Sequence, residues 1–191
     1  MSYQTYTTEA IVCGTFNRNT ADRSYLLFTK EAGMLYAEAR SVREERSRQR
    51  FALQDFSLVR VSLIKGKSSW KIGSIESKKN FFLTAEDKAA RGSVVLVTRF
   101  MRRFYGGQEA APALFEYVAS ALTLLSTPVP NRDYLEKIIQ VRMLLELGYV
   151  DDRLVPPEVQ LDIAALGSAS PLQKIPELEI LIDKAVSTSH L

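Results

Sequence analysis

The chain has 191 residues, 46% of them hydrophobic and 25% charged, with eight Tyr, nine Phe, one Trp and a net charge of +3. That composition excludes a disordered chain and leaves material for one large core or two small ones. A single cysteine, Cys13, and a single histidine, His190, exclude disulfides, cysteine-cluster zinc sites, Cys-His nucleophile pairs and Ser-His-Asp triads.

Taken in chain order, the first elements read as strands. Glu9–Cys13, Ser24–Thr29, Met34–Ala39, Phe56–Ile64 and Trp70–Ser77 are short runs rich in β-branched and aromatic residues, separated by turn signals. Gly33, in Thr29-Lys30-Glu31-Ala32-Gly33, and Gly66, in Lys65-Gly66-Lys67-Ser68, supply two hairpins. Val59, Val61 and Leu63 alternate with Leu58, Arg60, Ser62 and Ile64, as a strand with one buried face requires. Cys13 falls in an apolar stretch with no base beside it, so it reads as a small buried hydrophobe. With one long connection from Arg40 to Gln54, the five runs describe a small Greek-key barrel of OB type. A six-stranded SH3-like barrel or an open sheet gives similar runs.

After Phe82 the pattern becomes helical. Thr84-Ala85-Glu86-Asp87 reads as an N-cap with acidic first-turn residues, leading into Ala89–Tyr105 and a stop at Gly106-Gly107. Pro112–Leu125 is a second helix, with Leu114, Phe115, Val118, Leu122 and Leu125 at helical spacing. A third runs from an Asn131 N-cap to Leu147 and stops at Gly148. Pro156-Pro157, Gly167 and Pro171 predict a loop with one or two short turns, and Pro176–Ser187 a last amphipathic helix. The fold class expected is therefore α+β: an OB barrel over residues 1–82 and an all-helical domain over 83–191. No apolar run approaches the roughly 18 residues of a membrane span, and Met1–Thr8 lacks signal-peptide character, so a cytoplasmic protein without membrane contact is expected.

Charge divides along the same line. Residues 1–82 carry 14 Lys and Arg against 8 Asp and Glu, and residues 83–191 carry 11 against 14. A basic first half points to a polyanion. Its densest segment is Arg40-Ser41-Val42-Arg43-Glu44-Glu45-Arg46-Ser47-Arg48-Gln49-Arg50, five arginines in eleven residues between two strands. Guanidinium forks suit phosphate oxygens and stack on bases, although the same segment also fits a solvated helix face laced by Glu–Arg pairs. Phe28, Tyr36, Phe56 and Trp70 are the strand aromatics. Most such rings are core; Trp70, flanked by Lys65, Lys67 and Lys71, is the candidate for base stacking. In the helical half Arg99, Arg102 and Arg103 share one side of the first helix, and Lys137 and Arg142 lie on the third. Beside an apolar groove, such cations can clamp an acidic peptide; as ordinary solvated residues they need no role.

The order of motifs resembles a known family. Tyr6-Thr7-Thr8-Glu9-Ala10-Ile11-Val12, then Asp22 to Gly33 with its Leu27-Phe28-Thr29-Lys30-Glu31-Ala32-Gly33 hairpin and the basic loop after it, resemble the amino-terminal domain of the bacterial recombination mediator RecO. Leu114-Phe115-Glu116-Tyr117-Val118 and Val141 to Tyr149 look like two helices of the same family. The resemblance covers most of residues 1–150. It implies an OB-fold domain followed by a helical one, binding of single- and double-stranded DNA, strand annealing and help in loading recombinase. The implied partners are a RecR-like clamp and the acidic tail of single-strand-binding protein, the tail held where Lys137 and Arg142 lie. Many members carry a four-cysteine zinc module after the last of these helices. Here Asp151 onward has no cysteine, so neither zinc nor any other cofactor is expected.

Two other functions compete. A pure adaptor would dock an acidic peptide on its helical groove and use the barrel as scaffold. An enzyme would need clustered carboxylates, and Asp151-Asp152 and Glu44-Glu45 are isolated surface pairs, so a non-enzymatic protein is expected.

Overall fold

The computed structural model describes residues 5–66, 69–167 and 175–189. The chain is α+β and divides into two compact units: residues 1–84 with Gly107–Glu116, and Ala85–Gly106 with Tyr117–Leu191.

The first unit is a closed five-stranded barrel with strand order β1-β2-β3-β5-β4. Its strands are β1 (Thr5–Asn17), β2 (Arg23–Thr29), β3 (Gly33–Ala39), β4 (Ser57–Lys65) and β5 (Trp70–Asn80). All neighbouring pairs are antiparallel except β3 with β5, so the long β3–β4 connection crosses the barrel, as an OB fold requires. The sheet closes on itself and no SH3-like or open arrangement forms. Val59, Val61 and Leu63 of β4 are wholly buried with Ala10, Val12, Tyr25, Leu27 and Leu35. Gly33 takes φ +63° at the β2–β3 turn, and Thr29 Oγ1 closes that turn by donating to the Gly33 carbonyl at 2.8 Å.

Two features differ from the sequence expectation. β1 is 13 residues long and forms a third hairpin with β2, because a β-bulge at buried Cys13 lets the strand bend and continue. The long connection also contains a single helical turn, α1 (Gln49–Ala52).

The second unit centres on α4 (Arg132–Glu146), which packs against α2 (Lys88–Phe104), α6 (Ile175–Thr188) and a 3-10 turn at Pro157–Gln160. The N-cap of α2 is Asp87 and not Thr84: its Oδ1 accepts the Ala90 amide at 2.7 Å, while the Thr84 hydroxyl donates to the Asn80 carbonyl. α3 (Pro112–Leu125) has the predicted bounds, begins in the first unit and ends in the second. Asn131 precedes α4 in a left-handed conformation, φ +54°, without a side-chain cap. Gly148, φ +76°, ends α4: its amide and that of Tyr149 return to Leu145 and Leu144, a Schellman closure. Between Asp151 and Gly167 stand three short turns where one or two were expected, Asp152–Leu154, Pro157–Gln160 and α5 (Ile163–Leu166). Among the described residues no helix is long and apolar enough to cross a membrane.

Candidate nucleic-acid interface

The basic segment is fastened to the barrel before its arginines reach solvent. In the β1–β2 turn Asn19 Oδ1 accepts the amides of Ala21 and Asp22 at 2.9 and 2.6 Å. The Asp22 carboxylate accepts Asn19 Nδ2 at 2.9 Å and the Ser41 amide at 2.8 Å. Those bonds, the Asn19 contact first, hold its carboxyl below the usual carboxylate range. Arg43 completes the clamp, its amide donating to the Ala21 carbonyl at 3.0 Å and its Nη1 to the Asn19 carbonyl at 2.8 Å.

From that base Arg40, Arg43, Arg46 and Arg48 are exposed. Arg50, half-buried, lays its guanidinium 4.6 Å from the ring centre of Phe51. Among the described residues none of these five is held in an ion pair, so the alternative of a helix face laced by Glu–Arg pairs does not form; Glu44 and Glu45 are exposed in the same stretch.

A groove of about 380 Å³ runs between the β1–β2 turn and the β4–β5 connection, over β2 and β3. Arg18 and Lys65 stand at its edges, Tyr36 and Trp70 line it, and Glu38 lies in its floor bridged to Arg18 at 2.5 Å. Tyr36 is 56% exposed and Phe16 38%, their rings 5.8 Å apart. Lys65 Nζ sits 5.6 Å from the Trp70 ring centre, and Lys71 lies opposite Glu38 in the β3–β5 register. Lys67 lies outside the described residues.

The sequence choice of Trp70 as the exposed ring is corrected. Trp70 is half-buried at the barrel mouth and packs on the core, because its position opposite buried Ala37 turns it partly inward. Among the strand rings described, Tyr36 and Phe16 are the exposed ones. Phe28 is wholly buried against Phe115, and Phe56 stacks on Phe82. Sequence reading missed Phe16 and Arg18, since only the β1–β2 register shows which way they face. Two kinds of group now meet in one groove: cations suited to phosphate and rings suited to a base face.

The cations of the helical unit are used differently. Lys137 is bridged to Glu179 at 3.3 Å. Arg142 is bridged to Glu146 at 2.7 Å, reaches the Val159 carbonyl at 3.4 Å and lies over the Tyr117 ring. Burial pushes the Tyr117 hydroxyl far above its ordinary pKa. Both cations are thus committed internally, where the sequence suggested a peptide clamp. Arg99 and Arg103 instead line a groove of about 400 Å³ along α2 with Val95, Leu96 and Phe100. Arg102 is exposed on the same helix but does not line it. Arg132, overlooked in the sequence, ties the end of α3: it donates to the carbonyls of Leu125 and Thr127 at 2.8 and 2.6 Å and to Ser93 Oγ at 2.8 Å. Among the described residues no group of three His, Cys, Asp or Glu is placed to hold a metal ion.

Comparison with known proteins gives a family for the barrel. Residues 1–81 match the family model described as recombination protein O N terminal. The chain is 26% identical over 144 residues to the DNA repair protein RecO of Symbiobacterium thermophilum, which covers 75% of this chain and 57% of that protein. It is 26% identical over 155 residues to that of Cutibacterium acnes, covering 78% and 63%, and 26% identical over 121 residues to that of Myxococcus xanthus, covering 63% and 50%. These alignments thus take in between half and two thirds of each relative.

Proposed function

We propose that this chain, whose residues 1–81 match the amino-terminal model of recombination protein O, is a RecO-like, non-catalytic mediator of DNA repair and recombination whose barrel unit holds single-stranded DNA. The observation that carries the reading is the groove over β2 and β3, where the exposed Tyr36, with Phe16 against it, stands with Arg18 and Lys65, on a barrel that also exposes the arginines following β3. On this reading bases stack on Tyr36 and Phe16 while phosphates run along Arg18, Lys65, Lys71 and the Arg40–Arg50 segment. Lys67 adds a further positive charge to the connection between Lys65 and Trp70. Single strands are preferred because only an unpaired base can lay its face on the rings. Duplex DNA uses the arginines alone, through its phosphates.

Annealing follows from the same groups: arginines that neutralise two backbones lower the repulsion between complementary strands. Recombinase loading onto strands coated by single-strand-binding protein is the wider role proposed. The acidic tail of single-strand-binding protein is the proposed ligand of the helical unit. The α2 groove favours it, with Val95, Leu96 and Phe100 for an apolar end and Arg99 and Arg103, with Arg102 beside them, for carboxylates. A RecR-like clamp is proposed as a further partner. Cytoplasmic action is part of the proposal.

The test is annealing of complementary oligonucleotides by the wild-type chain and by a variant with Arg43, Arg46, Arg48 and Arg50 replaced by Ala. Loss of annealing in the variant, with its circular dichroism unchanged, is the expected result; equal rates would remove the segment from the mechanism. An adaptor without nucleic-acid binding predicts no oligonucleotide affinity at all, but retained binding of an acidic carboxy-terminal peptide.

A further inference from the structure

A second concavity on the barrel, of about 510 Å³, has no part in the groove just described. Arg23, Arg50 and Phe51 face it, with Asn17, Gln54 and Asp55. Phe51 is 63% exposed, and the Arg50 guanidinium already lies on its ring. An aromatic residue so open on a four-residue helical turn contributes little to the core, and a guanidinium fixed over it forms a charged, flat platform. Asp55, the acidic group in the concavity, is bonded by the Thr15 hydroxyl. Arg23 Nε meets Asn17 Oδ1 at 3.3 Å, which holds the guanidinium near the rim. The exposed Arg46 and Arg48 lead directly into α1, so the charge of the basic segment continues to this edge.

The two grooves are separated by the β1–β2 ribbon itself. Thr15 and Asn17 line the second concavity while Phe16, between them, turns the other way; Arg23 lines the second and Ser24 the first. Adjacent residues of a strand face opposite sides, so one short strand cannot occupy both grooves without passing around the ribbon.

We propose that this concavity is a second single-strand site, taking a short DNA segment with a base stacked on Phe51 and phosphates on Arg23, Arg50 and the neighbouring arginines. The inference rests on the reading of the barrel as a single-strand binder. Two segments held on one barrel would be kept at high effective concentration relative to each other.

Trp70, the one tryptophan, lines the first groove only, so its fluorescence reports that groove and is silent to the second. The full-length chain is titrated at low salt with a fluorescein-labelled oligodeoxythymidylate of about six nucleotides, short enough for one groove. Stoichiometry is read from anisotropy and groove occupancy from Trp70 quenching. The expected result is two oligonucleotides per chain, one with quenching and one without. Phe51→Ala should remove the silent event and leave the quenching titration within about twofold of wild type; Tyr36→Ala should weaken the quenching event and leave the silent one. One oligonucleotide per chain, tracking the quench and indifferent to Phe51→Ala, overturns the second site but spares the first. A single event weakened equally by both substitutions means one strand spans the ribbon, and also overturns it. Absence of any binding would instead remove the single-strand reading on which the inference stands.

Discussion

The two units both carry many cations and use them in opposite ways. In the barrel Arg46, Arg48, Arg50 and Lys65 are without ion pairs among the described residues, and Lys65 and Arg50 line concavities that also present rings. In the helical unit Arg132, Lys137, Arg142 and Arg153 are spent on carbonyls and carboxylates of the unit itself. A cation already bonded must break that bond before it can meet a phosphate, so local availability, more than formal charge, marks the proposed binding surface. The comparison has exceptions that sharpen it: Arg18 is bridged to Glu38 inside the first groove, and Lys30 and Lys78 are paired with Glu116 and Glu9.

The strongest way to break this contrast is to remove the available cations. Replacing Arg46, Arg48 and Arg50 by Ala should weaken single-strand binding on the order of a hundredfold at low salt and flatten the salt slope by about 0.7 for each phosphate that is no longer neutralised. A titration series at several salt concentrations measures both. The matching change in the helical unit should act on stability alone. Arg132→Met deletes three charge-assisted bonds and should cost about 2 kcal/mol in denaturant unfolding, leaving oligonucleotide affinity unchanged. Next comes the aromatic floor. Tyr36→Ala should lower affinity about tenfold, one stacked base being worth roughly 1–3 kcal/mol, without altering the salt slope.

A smaller effect concerns acid. The Asp22 carboxyl is depressed below its ordinary 3.8, so its clamp contributes above that value and is lost only as the pH falls through the lower, folded value. The β1–β2 turn should therefore stay joined to Ser41 at about pH 5, and an NMR titration of Asp22 should show its midpoint below 3.8. The smallest expected effect is Lys137→Ala. Its bridge to Glu179 is partly exposed, and its loss should cost less than about 1 kcal/mol and no DNA affinity.

The barrel was legible because period-two alternation in β4 and turn glycines at 33 and 66 are local signals. The groove was not, and the reason lies at Cys13. Counting by twos from the buried Ala10 and Val12 sends Phe16 into the core. The bulge between Val12 and Gly14 reverses that parity, so Thr15 pairs with buried Tyr25 and Phe16 turns outward beside Tyr36. In the helices, bounds were readable from Pro112, Gly148 and the apolar spacing. The fates of Lys137 and Arg142 were not, since Glu179 and Val159 reach them from elements distant in the chain.

The central claim is that the barrel's rings and available arginines hold the single strand. Photo-cross-linking of the full chain to a 5-iododeoxyuridine oligonucleotide, with the adducts located by mass spectrometry, tests it most directly. Adducts at Phe16, Tyr36 or Trp70 are the predicted result; adducts confined to α2, α4 and α6 would contradict it.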